Sequence, residues 1–422
     1  MHLQNANGVA NGQLGQLRHI PLSYDSENPD SSARALILAL RPEWANSDSN
    51  IEFISFKDGI TNTLLKAINK KEGLSKEEVD KEAVLLRAYG HGTDVLIDRH
   101  RETQNHELLM NHDLAPELLA RFNNGMIYRY IRGTVTQPAD LRESPIYLAV
   151  ARRLAQWHAI VPCIYEAHPL KNGVNGVNGN VNGSRNTAID HAAPGKPSPN
   201  VWTVMQKWIF ALPTDTEAQR TRQANLQQEL TKLIEELSER PGLGENGLVF
   251  AHCDLLSGNV IIEPQSTGAK EGGERQKKVS FIDYEYATPS PAAFDLANHF
   301  AEWGGFDCDY TVLPTRAQRL EFIREYIHAY FSQLPEKPDS IDEEAETQKL
   351  LAEVDIFRGV PGFYWGIWAL IQATISHIDF DYAEYAEIRL GEYWGWREAT
   401  KNTENSSTKE LPLREKRWAQ LE

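Results

Sequence analysis

The hydrophobic periodicity of this chain changes near residue 133, and that change limits the possible folds more than any other feature. Ile51 to Lys57 is rich in β-formers, Asp58-Gly59 supplies a turn, Thr61 to Lys66 continues as a second strand, and Ala83 to Tyr89 reads as a buried third. A helix is expected from about Asp98 to Asn111, and a further strand over Gly125 to Ile131. Beyond that, apolar residues recur at three- and four-residue steps over Pro145 to Ile160, Val201 to Phe210, Thr216 to Glu239, Thr315 to Phe331, Glu343 to Ile375 and Tyr382 to Thr400. The pattern predicts a mixed α/β (α+β) protein of two lobes, a small strand-rich one over 51–133 and a large, mainly helical one over 134–400. Three short apolar runs, Leu248 to Ala251, Val260 to Ile262 and Val279 to Ile282, interrupt the helices as short strands.

Other segments read as additions. Asn172 to Gly183 is an Asn/Gly repeat inside a polar stretch, about 171–200, that cannot bury a core and is expected to be disordered. Residues 1–50 read as an N-terminal extension, disordered in its first part, and 401–422 as a C-terminal tail. Pro264 to Lys278 has the composition of a long hairpin loop.

The charge balance restricts partners. Forty-three basic against 59 acidic residues give a net charge of −16, which repels phosphate backbones and anionic lipid heads and argues against nucleic acid as a partner. Cys163, Cys253 and Cys308 are too few and too scattered for a disulfide framework or a zinc site, which fits a reducing compartment. The first twenty residues carry no secretion-type or transit-type pattern. The apolar runs Ala35 to Leu40 and Phe363 to Ile371 fall well short of the roughly 20 residues a membrane span needs. The expected location is the cytoplasm, with no stable membrane insertion; a monomer and a homodimer both remain open.

The chemistry concentrates after the short strands. His252-Cys253-Asp254 is followed by Asn259, and Asp283 follows the next strand pair, with Glu285 two residues on. His-x-Asp-x-x-x-x-Asn is the spacing of a kinase catalytic loop, in which the Asp meets the substrate hydroxyl and the Asn holds a metal, while a later post-strand Asp holds Mg²⁺ as well. Phosphoryl transfer asks for positioning more than covalent work. One carboxylate orients the attacking oxygen, and an amide with a second carboxylate fixes the cation that neutralises developing charge. Asp254 is thus the candidate catalytic residue, and Asn259 and Asp283 the candidate Mg²⁺ ligands. Glu285 either joins that shell or only orients it, and His252 positions the loop.

The next segment carries a resemblance. Ile282-Asp283-Tyr284-Glu285-Tyr286 followed by Phe294-Asp295-Leu296-Ala297-Asn298-His299-Phe300-Ala301-Glu302-Trp303 resembles the choline/ethanolamine kinase family. Gly59-Ile60-Thr61-Asn62 resembles that family's nucleotide loop, Leu85 to Gly90 its third strand with the basic residue Arg87, and Ile97-Asp98-Arg99 with Glu102 the helix that supplies a carboxylate partner. Trp365-Gly366-Ile367-Trp368 and Ile378-Asp379-Phe380-Asp381-Tyr382 resemble the substrate wall. The similarity extends over about Ile51 to Tyr393, and its details lean toward the ethanolamine branch. It implies a protein-kinase-like fold and ATP-dependent phosphorylation of ethanolamine to phosphoethanolamine, the entry step of phosphatidylethanolamine synthesis through CDP-ethanolamine. ATP would meet Gly59, Thr61, Asn62 and Arg87, with Glu102 holding Arg87. The ammonium would meet Trp365, Trp368, Phe380 and Tyr385, with Glu302 the leading carboxylate ahead of Asp379 and Asp381. Asp295 is expected to bond backbone N–H groups of the catalytic loop. Two departures stand out: Cys253 where the family's loop usually reads His-Asn-Asp, and Asp58 where a second glycine is common. Choline kinase, an aminoglycoside-type phosphotransferase and an inactive nucleotide-binding scaffold are the rival readings.

Overall fold

The computed structural model describes residues 17–46, 50–56, 62–90, 92–163, 199–244, 246–264, 276–336, 340–376, 378–404 and 410–422. The chain divides into two compact units, one of residues up to 90 with 116–130, the other of residues 91–115 with 131–422. The expected nucleotide loop at Gly59 and Thr61, and the Asn/Gly-rich stretch, lie outside the described residues.

In the first unit the elements are β1 (His19–Ile20), α1 (Pro29–Leu40), β2 (Asn50–Phe56), β3 (Asn62–Lys70), α2 (Lys76–Glu82), β4 (Val84–Tyr89), β5 (Leu118–Phe122) and β6 (Gly125–Arg129). They build a six-stranded sheet of order β1-β5-β6-β4-β3-β2. All neighbours are antiparallel except the β1–β5 pair. β4 is central and buried along nearly its whole length, which is why its sequence shows no polar alternation. α2 starts with a capping box, in which Ser75 Oγ accepts from the Glu78 N–H at 3.3 Å and the Glu78 carboxylate accepts from the Ser75 N–H at 2.8 Å.

Residues 20–44 are no appendage. Ala33, Leu36 and Ile37 of α1, with Ile20 and Trp44, are buried in one core cluster with Leu65, Val84, Leu86 and Ile127 of the sheet. Polar residues dominate the start of α1 and hid its apolar stripe in the sequence.

In the second unit the elements are α3 (Arg99–Asn111), β7 (Thr134–Val135), α4 (Ser144–Ile160), α5 (Val201–Ala211), α6 (Glu217–Leu237), β8 (Val249–Ala251), β9 (Val260–Ile262), β10 (Val279–Phe281), β11 (Thr288–Ser290), α7 (Ala292–Ala301), α8 (Arg316–Gln333), α9 (Glu343–Phe357), α10 (Val360–Ile375), α11 (Tyr382–Glu404) and α12 (Leu413–Trp418). Two small antiparallel sheets, β10-β9-β7 and β11-β8, sit among these helices. The expected boundary at residue 133 is revised: α3 belongs to this unit although it precedes β5 and β6 in the chain.

The single helix expected over Glu343 to Ile375 is two helices, broken at Arg358-Gly359. Pro361 lies in the first turn of α10, where its missing N–H costs no hydrogen bond. α10 and α11 approach closely through glycines. A Cβ on Gly362 would lie 2.5 Å from the Arg389 carbonyl oxygen, and one on Gly366 2.7 Å from Leu390 Cγ.

The C-terminal tail also folds into the unit. Trp418 is buried with the Arg319 guanidinium 4.0 Å above its ring, and the N–H of Arg316 donates to the Gln420 carbonyl at 2.8 Å. Among the described residues no helix is long and apolar enough to cross a membrane.

Candidate active site

β8 ends at Ala251 and the chain turns directly through His252-Cys253-Asp254. Cys253 takes φ +62° and Asp283 φ +65°, the left-handed region in which ordinary residues need outside support. At Cys253 the support is the buried Asp295 of α7, which accepts from the N–H of His252 at 3.0 Å and of Cys253 at 2.8 Å. The departure from His-Asn-Asp thus falls on a left-handed residue, a conformation that Asn tolerates better than Cys.

Asp295 accepts a third bond, from His158 Nε2 at 3.0 Å, and the Tyr326 hydroxyl lies 2.7 Å from His158 Nδ1. Burial pushes its carboxyl up, but the His158 bond, the electrostatic influence of His158 and His252 and the Cys253 N–H bond together outweigh that and hold Asp295 below the usual carboxylate value. His252 spends both ring nitrogens locally. Since a carbonyl can only accept, Nε2–H donates to Ile282 O at 3.0 Å, and Nδ1 accepts from the Asp254 N–H at 3.3 Å. Complete burial lowers its pKa to about 4, so the ring is neutral. Trp157 packs beneath, its ring 5.4 Å from that of His252, and donates to Phe250 O at 2.7 Å.

Two neighbours in α7 fasten the loop further. Asn298 Nδ2 donates to Cys253 O at 2.9 Å, and His299 Nδ1 to Leu255 O at 2.8 Å; burial holds His299 near pKa 4.

The loop brings Asp254 and Asn259 together, with Asn259 Nδ2 donating to Asp254 O at 2.7 Å and to Asp254 Oδ2 at 3.1 Å. That fixes the amide so that its oxygen is the atom left for a cation. Burial pushes the Asp254 carboxyl well up, and the charges of Asp283, Glu302 and Glu285 push it further. Such a concentration of acids suits a cation, which would relieve the repulsion. Among the described residues no group of three His, Cys, Asp or Glu side chains forms a metal cage. One carboxylate and one amide fit instead a hard cation that completes its shell with phosphate and water oxygens. Glu285 pairs with Arg99 Nη1 at 3.3 Å, and the same nitrogen donates to Glu102 at 2.9 Å. Arg99 thus ties α3 to the loop after β10 that carries Asp283, a role invisible in the sequence because 186 residues separate Arg99 from Glu285.

An aromatic group stands beside this cluster. Trp365 and Trp368 on α10 meet edge to face at 5.4 Å, and Tyr286 lies 5.6 Å from Trp365. Trp365 Nε1 donates to Asn298 Oδ1 and Trp368 Nε1 to the Tyr286 hydroxyl, each at 2.8 Å. Tyr382 lies 5.8 Å from Trp368, and Phe380 is 4.8 Å from Tyr382 and 5.5 Å from Tyr385. Glu302, one helical turn beyond Asn298, is buried, and Arg389 Nη2 lies 3.5 Å from its Oε1. Asp379 and Asp381 are exposed, and Asp381 caps α11 by accepting from the Glu384 N–H at 2.9 Å. Sequence reasoning did not assign Tyr286, Arg99, His158 or Arg389, and it quoted Asn298 and His299 only as part of a motif.

In the first unit, Asn62 opens β3 opposite Tyr89, and Arg87 of β4 is opposite Leu64. The two expected nucleotide residues therefore share one sheet face as diagonal neighbours. Asn62 Oδ1 accepts from the Gly90 N–H at 3.4 Å. Glu102, expected to hold Arg87, belongs to the second unit.

A strand-rich unit, and a helical one that presents Asp254, Asn259 and Asp283 after short strands, define a protein-kinase-like small-molecule phosphotransferase. Residues 53–394 match the family model for choline/ethanolamine kinase. The chain belongs to that family, whose members are small-molecule kinases that use ATP and, with it, a divalent metal. It is 31% identical to a probable ethanolamine kinase of Arabidopsis thaliana over 83% of this chain and 81% of that one. It is 33% identical to ethanolamine kinase 1 of Mus musculus over 86% of this chain and 88% of that one. Among solved structures, Plasmodium vivax ethanolamine kinase superposes with a TM-score of 0.63 at 25% identity, covering 87% of this chain and 89% of that one. Choline kinase of Cryptosporidium parvum shares the fold at a TM-score of 0.58 and 20% identity, covering 89% and 97%.

Proposed function

We propose that the chain transfers the terminal phosphoryl group of ATP to the hydroxyl of ethanolamine, releasing phosphoethanolamine and ADP in the cytoplasm. The observation that carries this reading is the acid loop of Asp254 beside an aromatic group that contains a buried carboxylate, Glu302. Aromatic faces attract any ammonium, but a primary ammonium also brings three N–H donors that need acceptors once water is excluded. Glu302 Oε1 receives no hydrogen bond within the chain and can serve as an acceptor for them.

Asp254 orients the hydroxyl and takes its proton as the oxygen attacks phosphorus. Its raised pKa reflects burial and the acids around it. Mg²⁺ is the divalent cation we propose; Asn259 and Asp283 would hold it, and when bound it neutralises charge on the phosphoryl oxygens. Glu285, tied to Arg99, orients the loop on which Asp283 sits. Asn62 and Arg87 of the first unit are the proposed phosphate contacts, and Trp365, Trp368, Phe380 and Tyr385 the proposed walls for the amino alcohol. His252 and Asp295 support the loop.

The test is ADP release with Mg²⁺ and ATP across ethanolamine, choline and kanamycin. Ethanolamine should give the highest kcat/KM. A tenfold preference for choline would reverse the assignment, turnover of kanamycin alone would move the chain to another substrate class, and no turnover of any substrate would leave a nucleotide-binding scaffold.

A further inference from the structure

A row of buried charges leads from Glu302 toward the C-terminus. Arg389 Nη2 lies 3.5 Å from Glu302 Oε1, Arg389 Nε lies 3.5 Å from Glu392 Oε2, and Arg414 Nε follows at 3.8 Å from the same Glu392 oxygen. The outer end of the row is closely bonded, with Arg414 to Glu415 at 3.0 Å and Arg358 to Glu415 at 2.8 Å. The inner end differs. Glu302 Oε1, Glu392 Oε2 and Arg389 Nε and Nη2 are all buried without a hydrogen-bond partner, although the charges stand at ion-pair distance.

A buried carboxylate oxygen without a donor is costly, and a family of ordinary salt bridges would have closed the gap. Arg389 has other neighbours as well. The Cys308 sulfur stands 4.0 Å from its Nη1, and the Tyr385 ring centre lies 5.9 Å from its guanidinium carbon. Its own backbone carbonyl is pressed against Gly362, which fixes α11 against α10. Arg389 therefore gives Glu302 a neighbouring positive charge without giving it a hydrogen bond. Burial holds the Glu302 carboxyl above its ordinary value; Arg389 opposes that rise and Glu392 adds to it.

We infer that Arg389 is a specificity-determining positioning residue, which sets a counter-charge beside Glu302 while leaving one carboxylate oxygen for the N–H donors of a primary ammonium. The inference rests on the ethanolamine reading above. Without Arg389, Glu302 loses its compensating charge, takes up a proton and stops accepting from a cationic donor. A quaternary ammonium has no N–H to lose and depends on the rings, so it is affected far less.

The test compares KM and kcat for ethanolamine and choline in the wild-type chain, Arg389→Met, Arg389→Lys, Glu302→Gln and the double variant Glu302→Gln/Arg389→Met. Arg389→Met should raise the KM for ethanolamine at least about tenfold, with kcat, the KM for ATP and the KM for choline each within about threefold of wild type. Arg389→Lys should recover part of the loss, because the charge remains. In the Glu302→Gln background, Arg389→Met should add little, since the residue acts through Glu302. Parallel changes for the two amino alcohols, or losses that add in the double variant, would overturn the inference and leave Arg389 a structural ion. If Arg389→Met does not fold, Arg389→Lys alone and with Glu302→Gln makes the same comparison, expected as a threefold or larger rise in the ethanolamine KM that vanishes in the pair; an unchanged KM for Arg389→Lys then overturns it. A wild-type chain that phosphorylates neither amino alcohol overturns the functional reading itself, whereas wild-type turnover with an unshifted substrate ratio overturns only the role of Arg389.

Discussion

The catalytic loop and the aromatic group beside it are held by opposite means. Around His252-Cys253-Asp254, side chains of Asp295, Asn298 and His299 bond four backbone groups at 2.8 to 3.0 Å. Around Glu302 and Arg389 the charges stand at 3.5 Å without hydrogen bonds, and the rings meet edge to face. A loop that must aim an attacking oxygen has its geometry fixed by directional bonds. A wall that must receive a cation anchors its two indoles by one hydrogen bond each, offers ring faces to the ligand and keeps an acceptor in reserve. Four perturbations test that contrast, and stability should respond chiefly to changes in the loop and KM chiefly to changes in the wall.

The largest effect is expected from Asp295→Ala. It strands the N–H groups of His252 and Cys253 and the His158 ring together, so urea unfolding should show a loss of about 3–5 kcal/mol. A loss under about 1 kcal/mol would mean that the left-handed turn at Cys253 does not depend on this carboxylate.

The same loop should make the protein acid-sensitive. His252 and His299 have folded pKa values near 4 because burial disfavours their charged forms. The unfolded chain, with an ordinary histidine pKa of about 6.5, binds more protons between those values, so stability is complete above about pH 6.5 and falls as pH drops toward 4. At pH 5 the cost is about 2 kcal/mol per ring, and the urea midpoint measured at pH 7 and pH 5 reads it. The lowered carboxyl of Asp295 acts in the same direction at lower pH still, as its proton is regained. A midpoint flat from pH 7 to pH 5 would show that neither ring is held neutral by its burial.

Asp254→Ala moves from scaffold to chemistry. It should lower kcat by at least about a hundredfold, in the range of a lost proton acceptor, while ATP binding measured by calorimetry stays within about threefold. An unchanged kcat would assign the proton to another group.

The sequence shows this loop and hides most of what holds it. His252, Asp254, Asn259 and Asp283 are legible because the first two and the last follow short apolar runs and Asn259 directly precedes one, at spacings fixed by local chain geometry. Glu302, Trp365 and Trp368 were named through a family resemblance, since three-residue steps on a helix suit core packing as well as a ligand wall. Arg99, His158 and Arg389 act through partners distant in the chain, and nothing in the local pattern marks an arginine or histidine as buried. The left-handed conformation of Cys253 and Asp283 is likewise a tertiary fact. α1 and α12 were read as appendages because one has a polar start and the other is six residues long, too short for periodicity to register.

The smallest effect is expected where the two regions join. Trp365 Nε1 donates to Asn298 Oδ1 at 2.8 Å, and the same amide donates from Nδ2 to Cys253 O at 2.9 Å. Asn298 thus links a ring of the wall to the loop. Trp365→Phe keeps an aromatic face toward the amino alcohol and removes that donor, a change of about 1 kcal/mol for one neutral hydrogen bond. If the wall binds and the loop reacts, KM for ethanolamine should rise about three- to tenfold while kcat stays within about twofold. A fall in kcat as large as the rise in KM would mean that the indole also aims the loop through Asn298, and the division between a directional loop and an accommodating wall would then have to be drawn on the far side of Trp365.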